Sequence, residues 1–307
     1  MDVNSNTSSI KLEGHVQVER YRYLYFTVML LVYALILCSN FMLVFLIGFE
    51  KSLHEPMYVF IAALSLNSVF FSTAIYPKLL TDFVSEEQII SYTACRVQYF
   101  MFYSLGGSEF LLLAAMAYDR YVSICKPLQY PAVMRKATVS ALLLLAWLLP
   151  AGQVAVLPIV YVNSRLCSFA LKGIFCNNST KYLYCVSPRA LSIYAAVILV
   201  NIVVFPILFI FFTYAKIFVI ARQNSEVRRK ATQTCLPHLF VLISFSCFCA
   251  YDVIAASLES DFPKIVRLIM TLQIITYQPL LNPIIYGLKM KEISKRLKKL
   301  LCRVKHS

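Results

Sequence analysis

Few side chains in this sequence are equipped for chemistry, and most of those sit in apolar surroundings. Glu109 interrupts a long apolar run, and ten residues later Asp119 and Arg120 stand side by side. A carboxylate inside such a run is costly to bury and by default marks a functional or ion site. An adjacent Asp-Arg pair can keep a guanidinium neutralised until something releases it as a cationic donor. Near the other end, Asn282 precedes Pro283, a residue that frees a backbone carbonyl one turn earlier and allows a kink, so Asn282 and Tyr286 can exchange hydrogen-bond partners. The four histidines, His15, His54, His238 and His306, are scattered, and no His/Cys/Glu cluster has metal spacing. An enzyme therefore fails for want of a site, and no cofactor is implied.

The elements that hold these groups are set by composition. Of 307 residues, 60% are apolar and 14% charged, with a mean hydropathy of +0.70, against about 45–50% and about 25% in soluble domains. Seven runs, 23–49, 57–80, 97–121, 138–161, 190–220, 233–257 and 264–287, are long enough to cross ~30 Å of hydrocarbon, which takes about 20 helical residues. They are continuous rather than alternating, which excludes barrel strands. Their internal prolines (Pro77, Pro150, Pro158, Pro206, Pro283) are tolerated where neighbouring helices re-satisfy the backbone. The expectation is an all-α membrane protein: a seven-transmembrane bundle over residues 23–287, an extracellular segment 1–22, and a short amphipathic helix in a cytoplasmic tail, 288–307.

Orientation follows from Lys and Arg. The side carrying the amino terminus has 11 of them and the other side 18, while acidic residues run eight against five, for net charges of +3 and +13. The positive-inside rule then places the C-terminus in the cytoplasm. No cleavable signal is visible in the charged first 22 residues, so the first span acts as its own insertion signal. Sequons at Asn6, Asn177 and Asn178 all fall on the outer side. The tail spaces Ile293, Leu297, Leu300, Leu301 and Val304 among basic residues as a helix lying on anionic lipid would, with Cys302 open to palmitoylation. The overall charge of +14 is thus a membrane face, and nucleic acid is excluded as a partner. Four of the ten cysteines, Cys95, Cys167, Cys176 and Cys185, lie outside, enough for two disulfides in any of three connectivities.

The stretch Met116-Ala117-Tyr118-Asp119-Arg120-Tyr121-Val122-Ser123-Ile124-Cys125-Lys126-Pro127-Leu128-Gln129-Tyr130 resembles the signature of odorant receptors, a branch of the rhodopsin-like G-protein-coupled receptors. Leu53-His54-Glu55-Pro56-Met57-Tyr58, Lys230-Ala231-Thr232-Gln233-Thr234-Cys235-Leu236-Pro237-His238 and Asn282-Pro283-Ile284-Ile285-Tyr286 follow the family's order. Asn67, Asn201 and the Tyr- and Cys-rich texture look most like fish members. The resemblance implies disulfides Cys95–Cys176 and Cys167–Cys185. It also implies an activation switch of Asp119, Arg120, Tyr121, Tyr214, His238, Asn282, Pro283 and Tyr286 that engages a heterotrimeric G protein of the stimulatory olfactory type, raising cyclic AMP. Relatives hold sodium between Glu109 and an acid of the second span, where this chain has Ser68. Two possibilities stay open: a weak sodium site at Glu109 with Ser68 and Asn67, and a protonated, hydrogen-bonded Glu109. Ser244-Phe245-Ser246-Cys247-Phe248-Cys249 lacks the Trp-Pro hinge of most rhodopsin-like receptors, as odorant receptors do. Trp147 is expected to pack.

In this topology the outer halves of spans three, five, six and seven enclose the ligand, a small-molecule odorant. They contribute Phe102, Tyr103, Gly106 and Gly107; Ile198, Asn201 and Ile202; Tyr251, Asp252 and Val253; and Leu272 and Thr276. The glycines make room either for ligand or for close helix packing. Asp252 either selects a cationic ligand or pairs with Arg267. The alternatives are a non-olfactory rhodopsin-like receptor and a small transporter or channel, although a transporter normally shows internal repeats and several midplane charges.

Overall fold

The structure is a computed structural model that describes residues 9–16, 18–186, 188–222, 235–236, 239–247, 249–251, 263–289 and 293–296. The apolar runs are helices: α1 (Val18–Phe49), α2 (Pro56–Val84), α3 (Tyr92–Cys125), α4 (Lys136–Val160), α5 (Arg189–Ala221), the shorter α6 (Leu239–Tyr251, described apart from residue 248) and α7 (Lys264–Lys289). All but α6 are long and apolar enough to span a bilayer. With α6 between α5 and α7, they fit the expected seven-helix bundle.

Helices here follow from solvent, because hydrocarbon offers no partner for backbone groups and a helix satisfies them internally. Large side chains such as Phe45, Leu145, Phe205 and Leu208 are exposed on the outside of the bundle, where lipid is their solvent. Several helices overrun the apolar runs. α3 starts at Tyr92 rather than 97, because Ser91 caps it by accepting a hydrogen bond from the Ala94 N–H at 3.2 Å. α2 starts with Pro56, whose fixed φ suits a first helical position. In α5 a π-helical turn, Val200–Val204, separates Arg189–Leu199 from Phe205–Ala221.

Two packed clusters divide the bundle along its length. One, toward the end that the charge count makes the inner one, includes Leu43, Phe60, Leu113, Met116, Ile217 and Tyr286. The other, toward the outer end, includes Ile36, Ile75, Phe83, Phe102, Phe175 and Ile275.

An outer cap covers the second cluster, and it includes a small sheet that hydropathy does not announce. β1 (Ser9–Leu12) pairs antiparallel with β2 (Ile89–Ser91), in the register Ile10 opposite Ile90, and parallel with β3 (Ala170–Leu171). Ile10, Leu12, Ile90, Leu171 and Leu183 bury their side chains beneath it, around Cys95 and Cys176. At its edge Gly14 crosses Gly173 so closely that a Cβ on Gly14 would lie 2.4 Å from the Gly173 carbonyl carbon. The strands are two to four residues long, too short for alternation to stand out.

Candidate ligand pocket and signalling switch

Both outer disulfides are present in the pairing the resemblance implies. Cys95 bonds Cys176, with Cα atoms 5.4 Å apart, and Cys167 bonds Cys185, at 4.8 Å. The first ties the long outer loop to α3, and Gln98 reinforces it by accepting the Cys176 N–H at 3.0 Å while donating to the Ala74 carbonyl on α2 at 3.1 Å. The loop residue next to the bond, Phe175, is thereby pushed into the bundle, its ring centroid 4.8 Å from that of Phe102.

Around Phe102 the expected pocket residues gather unevenly. Phe71 lies 5.2 Å and Tyr103 4.9 Å from Phe102, ring to ring, and Tyr251 and Leu272 pack on the same cluster. Thr276 reaches it through a 3.0 Å hydrogen bond with the Tyr76 hydroxyl. The two glycines separate in role. A Cβ on Gly107 would lie 2.5 Å from Ile202 and 3.0 Å from Pro150, so Gly107 lets α3 approach α5 and α4, whereas among the described residues one on Gly106 would meet only Phe245, at 4.0 Å. Ile202 is buried and Ile198 half-buried, but Asn201 is exposed on the open face of α5. Asn201 lies on the π turn beside Ile202, the residue that a Cβ on Gly107 of α3 would meet. Asp252, Val253, His238 and Asn6 lie outside the described residues. Asn177 caps the turn at Asn178–Leu183 by accepting the Ser179 N–H at 3.1 Å, and the Asn178 N–H donates to the Tyr103 hydroxyl at 2.8 Å.

Deeper in, a polar layer joins α2, α3 and α7. Glu109, 3% exposed, accepts hydrogen bonds on Oε1 from Gln278 at 2.6 Å and from Asn282 at 2.9 Å, and the Asn282 amide also reaches Ser68 Oγ at 3.2 Å. Asn67 is not part of this layer. Its amide donates to the Leu105 carbonyl at 3.0 Å, and its oxygen accepts the Trp147 indole N–H at 3.3 Å, so both brace α2 against α3 and α4. Among the described residues no three His, Cys, Asp or Glu converge as metal ligands.

Two members of this region carry signals that hydropathy misses. Gln278 lies four residues, about one turn, before Asn282 and so shares its face. Asn40 is a fully buried amide in the first span, and it donates to the Pro279 carbonyl at 2.9 Å. That carbonyl is the one deprived of its i+4 N–H by Pro283. The freed group is thus satisfied from α1.

At the inner end of α3, Asp119 is fully buried and forms an ion pair with Arg120, whose Nε donates to Asp119 Oδ2 at 2.9 Å. The other carboxylate oxygen accepts the Tyr130 hydroxyl at 2.8 Å, from the short helix Tyr130–Val133. Burial and the neighbouring Asp119 charge raise the Tyr130 phenol above its usual range, so it remains a donor. Tyr130 closes the sequence signature, but only the structure reveals its partner. Tyr121 is half-buried, and Tyr214, Asn282 and Tyr286 are buried. The Tyr214 hydroxyl has no hydrogen-bond partner among the described residues.

A profile of the olfactory receptor family matches residues 29–304. The chain belongs to the olfactory receptor family. It is 32% identical to olfactory receptor 11A1 of Homo sapiens over 97% of this chain and 95% of that protein. It is 34% identical to olfactory receptor 4E1 of Homo sapiens over 99% and 96%, and 34% identical to the olfactory receptor-like protein COR2 of Gallus gallus over 90% and 89%. These human and chicken relatives lend no support to the finer likeness to fish members. This olfactory receptor is a multi-pass membrane protein rather than an enzyme, and its disulfides and spanning helices accord with that family.

Proposed function

We propose that this olfactory receptor binds a small odorant among the outer halves of α3, α5, α6 and α7 and activates a heterotrimeric G protein of the stimulatory olfactory type, raising cyclic AMP. The observation that carries the reading is the placement of three polar or aromatic groups along α3. Phe102 and Tyr103 lie under the outer cap, Glu109 is bonded to α7 midway, and the Asp119–Arg120–Tyr130 network closes the inner end. A ligand that wedges Phe102 against α7 biases the Glu109 bonds to Gln278 and Asn282, and through α7 the positions of Pro283 and Tyr286. Arg120, released from Asp119, then becomes the cationic donor for the G protein, and Tyr214 finds a partner for its hydroxyl. Residues 1–22 lie outside, 23–287 form the bundle and 288–307 follow the inner leaflet, on the charge count given above.

Cyclic AMP measured in cells expressing the receptor, across a panel of amino acids, amines, bile acids and nucleotides, tests this. A responding ligand should keep its affinity for Arg120→Ala and lose its signal there. Ion flux evoked by ligand and persisting without any G protein would instead favour a channel.

A further inference from the structure

A second cavity lies outside the odorant pocket proposed above, under the outer cap between the ends of α3, α4 and α5. Its walls include Tyr92, Arg96, Tyr99, Tyr161, Lys181 and Tyr184. The Tyr99 ring packs tilted against that of Tyr103 at 4.7 Å, and Asn178, another wall residue, is bonded to the Tyr103 hydroxyl. None of the described residues expected to line the odorant pocket is among the walls of this cavity.

The cavity is aromatic and cationic at once. Tyr161 and Tyr184 are stacked 3.9 Å apart, and the Tyr92 hydroxyl donates to the Tyr161 carbonyl at 2.9 Å and contacts the Tyr184 hydroxyl at 3.2 Å. This arrangement fixes a flat apolar wall. Arg96 lies over the Tyr92 ring, 5.5 Å from its centroid, and one of its terminal nitrogens donates to the Pro158 carbonyl. Its Nε is buried with no hydrogen-bond partner among the described residues. Among the described residues neither Arg96 nor Lys181 forms a salt bridge, and no Asp or Glu lines the cavity. A guanidinium and an ammonium that line one cavity with no carboxylate to neutralise them suit a carboxylate, which accepts charge-assisted hydrogen bonds from both.

We propose that this cavity is a second ligand site, selective for small organic carboxylates with a flat or apolar body. The carboxylate accepts from Arg96 with Lys181 as a second cation, and the body lies against the tyrosine wall. The site does not depend on the signalling reading, because it is tested by binding alone.

The test uses the full-length receptor in nanodiscs and measures binding of 3-phenylpropionate by calorimetry, with 3-phenylpropanol, acetate and inorganic phosphate as comparison ligands. The acid should bind at least tenfold more tightly than the alcohol, acetate or phosphate. Arg96→Gln should weaken it at least tenfold, Arg96→Lys less, and Lys181→Gln severalfold, with melting temperatures confirming that each variant is folded. Equal binding of the alcohol would overturn the role of charge, and equal binding of phosphate would overturn the role of the apolar wall. No binding of the acid to folded receptor, or unchanged binding to folded Arg96→Gln, would overturn the site.

Discussion

The two ends of the bundle are held in different ways. At the outer end, two disulfides, a sheet joining three separate segments and stacked tyrosines fix the loops to α2, α3 and α4. There His15, 4% exposed, faces Asp82, 1% exposed, with 3.9 Å between the His15 Nε2 and the Asp82 Oδ2, and Lys78 pairs with the same carboxylate one turn away. At the inner end no covalent link is seen among the described residues. Instead Asp119 holds Arg120 and Tyr130, and Arg296 reaches Glu50 at 3.5 Å with both side chains about one-third exposed. Exposed pairs of that kind contribute about 0–1 kcal/mol. The outer end is a fixed frame for recognition, while the inner end is closed by bonds weak enough for a ligand's differential affinity to exchange.

The strongest way to break that contrast is to cut the frame. Cys95→Ser opens a link spanning 81 residues and Cys167→Ser one spanning 18. Chain entropy alone makes these worth roughly 4.5 and 3 kcal/mol, upper bounds here because the unfolded chain stays membrane-confined. Thermal melting of the purified receptor should therefore fall further for Cys95→Ser, and odorant binding should be lost with it. Equal melting for wild type and Cys95→Ser would mean that the cap is ornamental and that the frame lies in the helices alone.

Acid should loosen the same end. Burial and the Lys78 charge hold the His15 imidazole at about 4, below its ordinary 6.5. Between those values the unfolded chain takes up a proton that the folded chain refuses, so stability rises with pH across the window. It is fully present above about 6.5 and lost as pH drops toward 4. The loss is up to about 3 kcal/mol, less what a protonated His15 recovers from Asp82. Melting temperatures measured from pH 7 to pH 4.5 should decline more steeply in wild type than in His15→Phe. Parallel curves would remove His15 from the frame.

The same contrast explains what the sequence disclosed. The spans were legible because lipid demands about 20 apolar residues in a row, and that signal is local. The disulfide partners were not legible from spacing, which leaves three connectivities open; they came with the family resemblance. The sheet was hidden because β1 meets strands about 80 and 160 residues away, and pairing at that distance leaves no periodic trace. Asn40, the donor that answers Pro283, is found only by asking where the freed carbonyl goes.

The smallest effect belongs to the inner end. Tyr130→Phe removes one donor from the buried Asp119 carboxylate and leaves Arg120 as its remaining partner. A hydrogen bond to a charged group contributes about 1.5–3 kcal/mol, but part of it is recovered when water replaces the phenol at this half-buried position. A net loss of about 1 kcal/mol raises the population with Arg120 released roughly fivefold. Basal cyclic AMP without ligand should rise by that order, while the melting temperature barely moves because the frame is untouched. Unchanged basal signalling with a clear drop in melting would reverse the assignment: Tyr130 would then belong to the structure's rigid part, and the inner lock would rest on Asp119 and Arg120 alone.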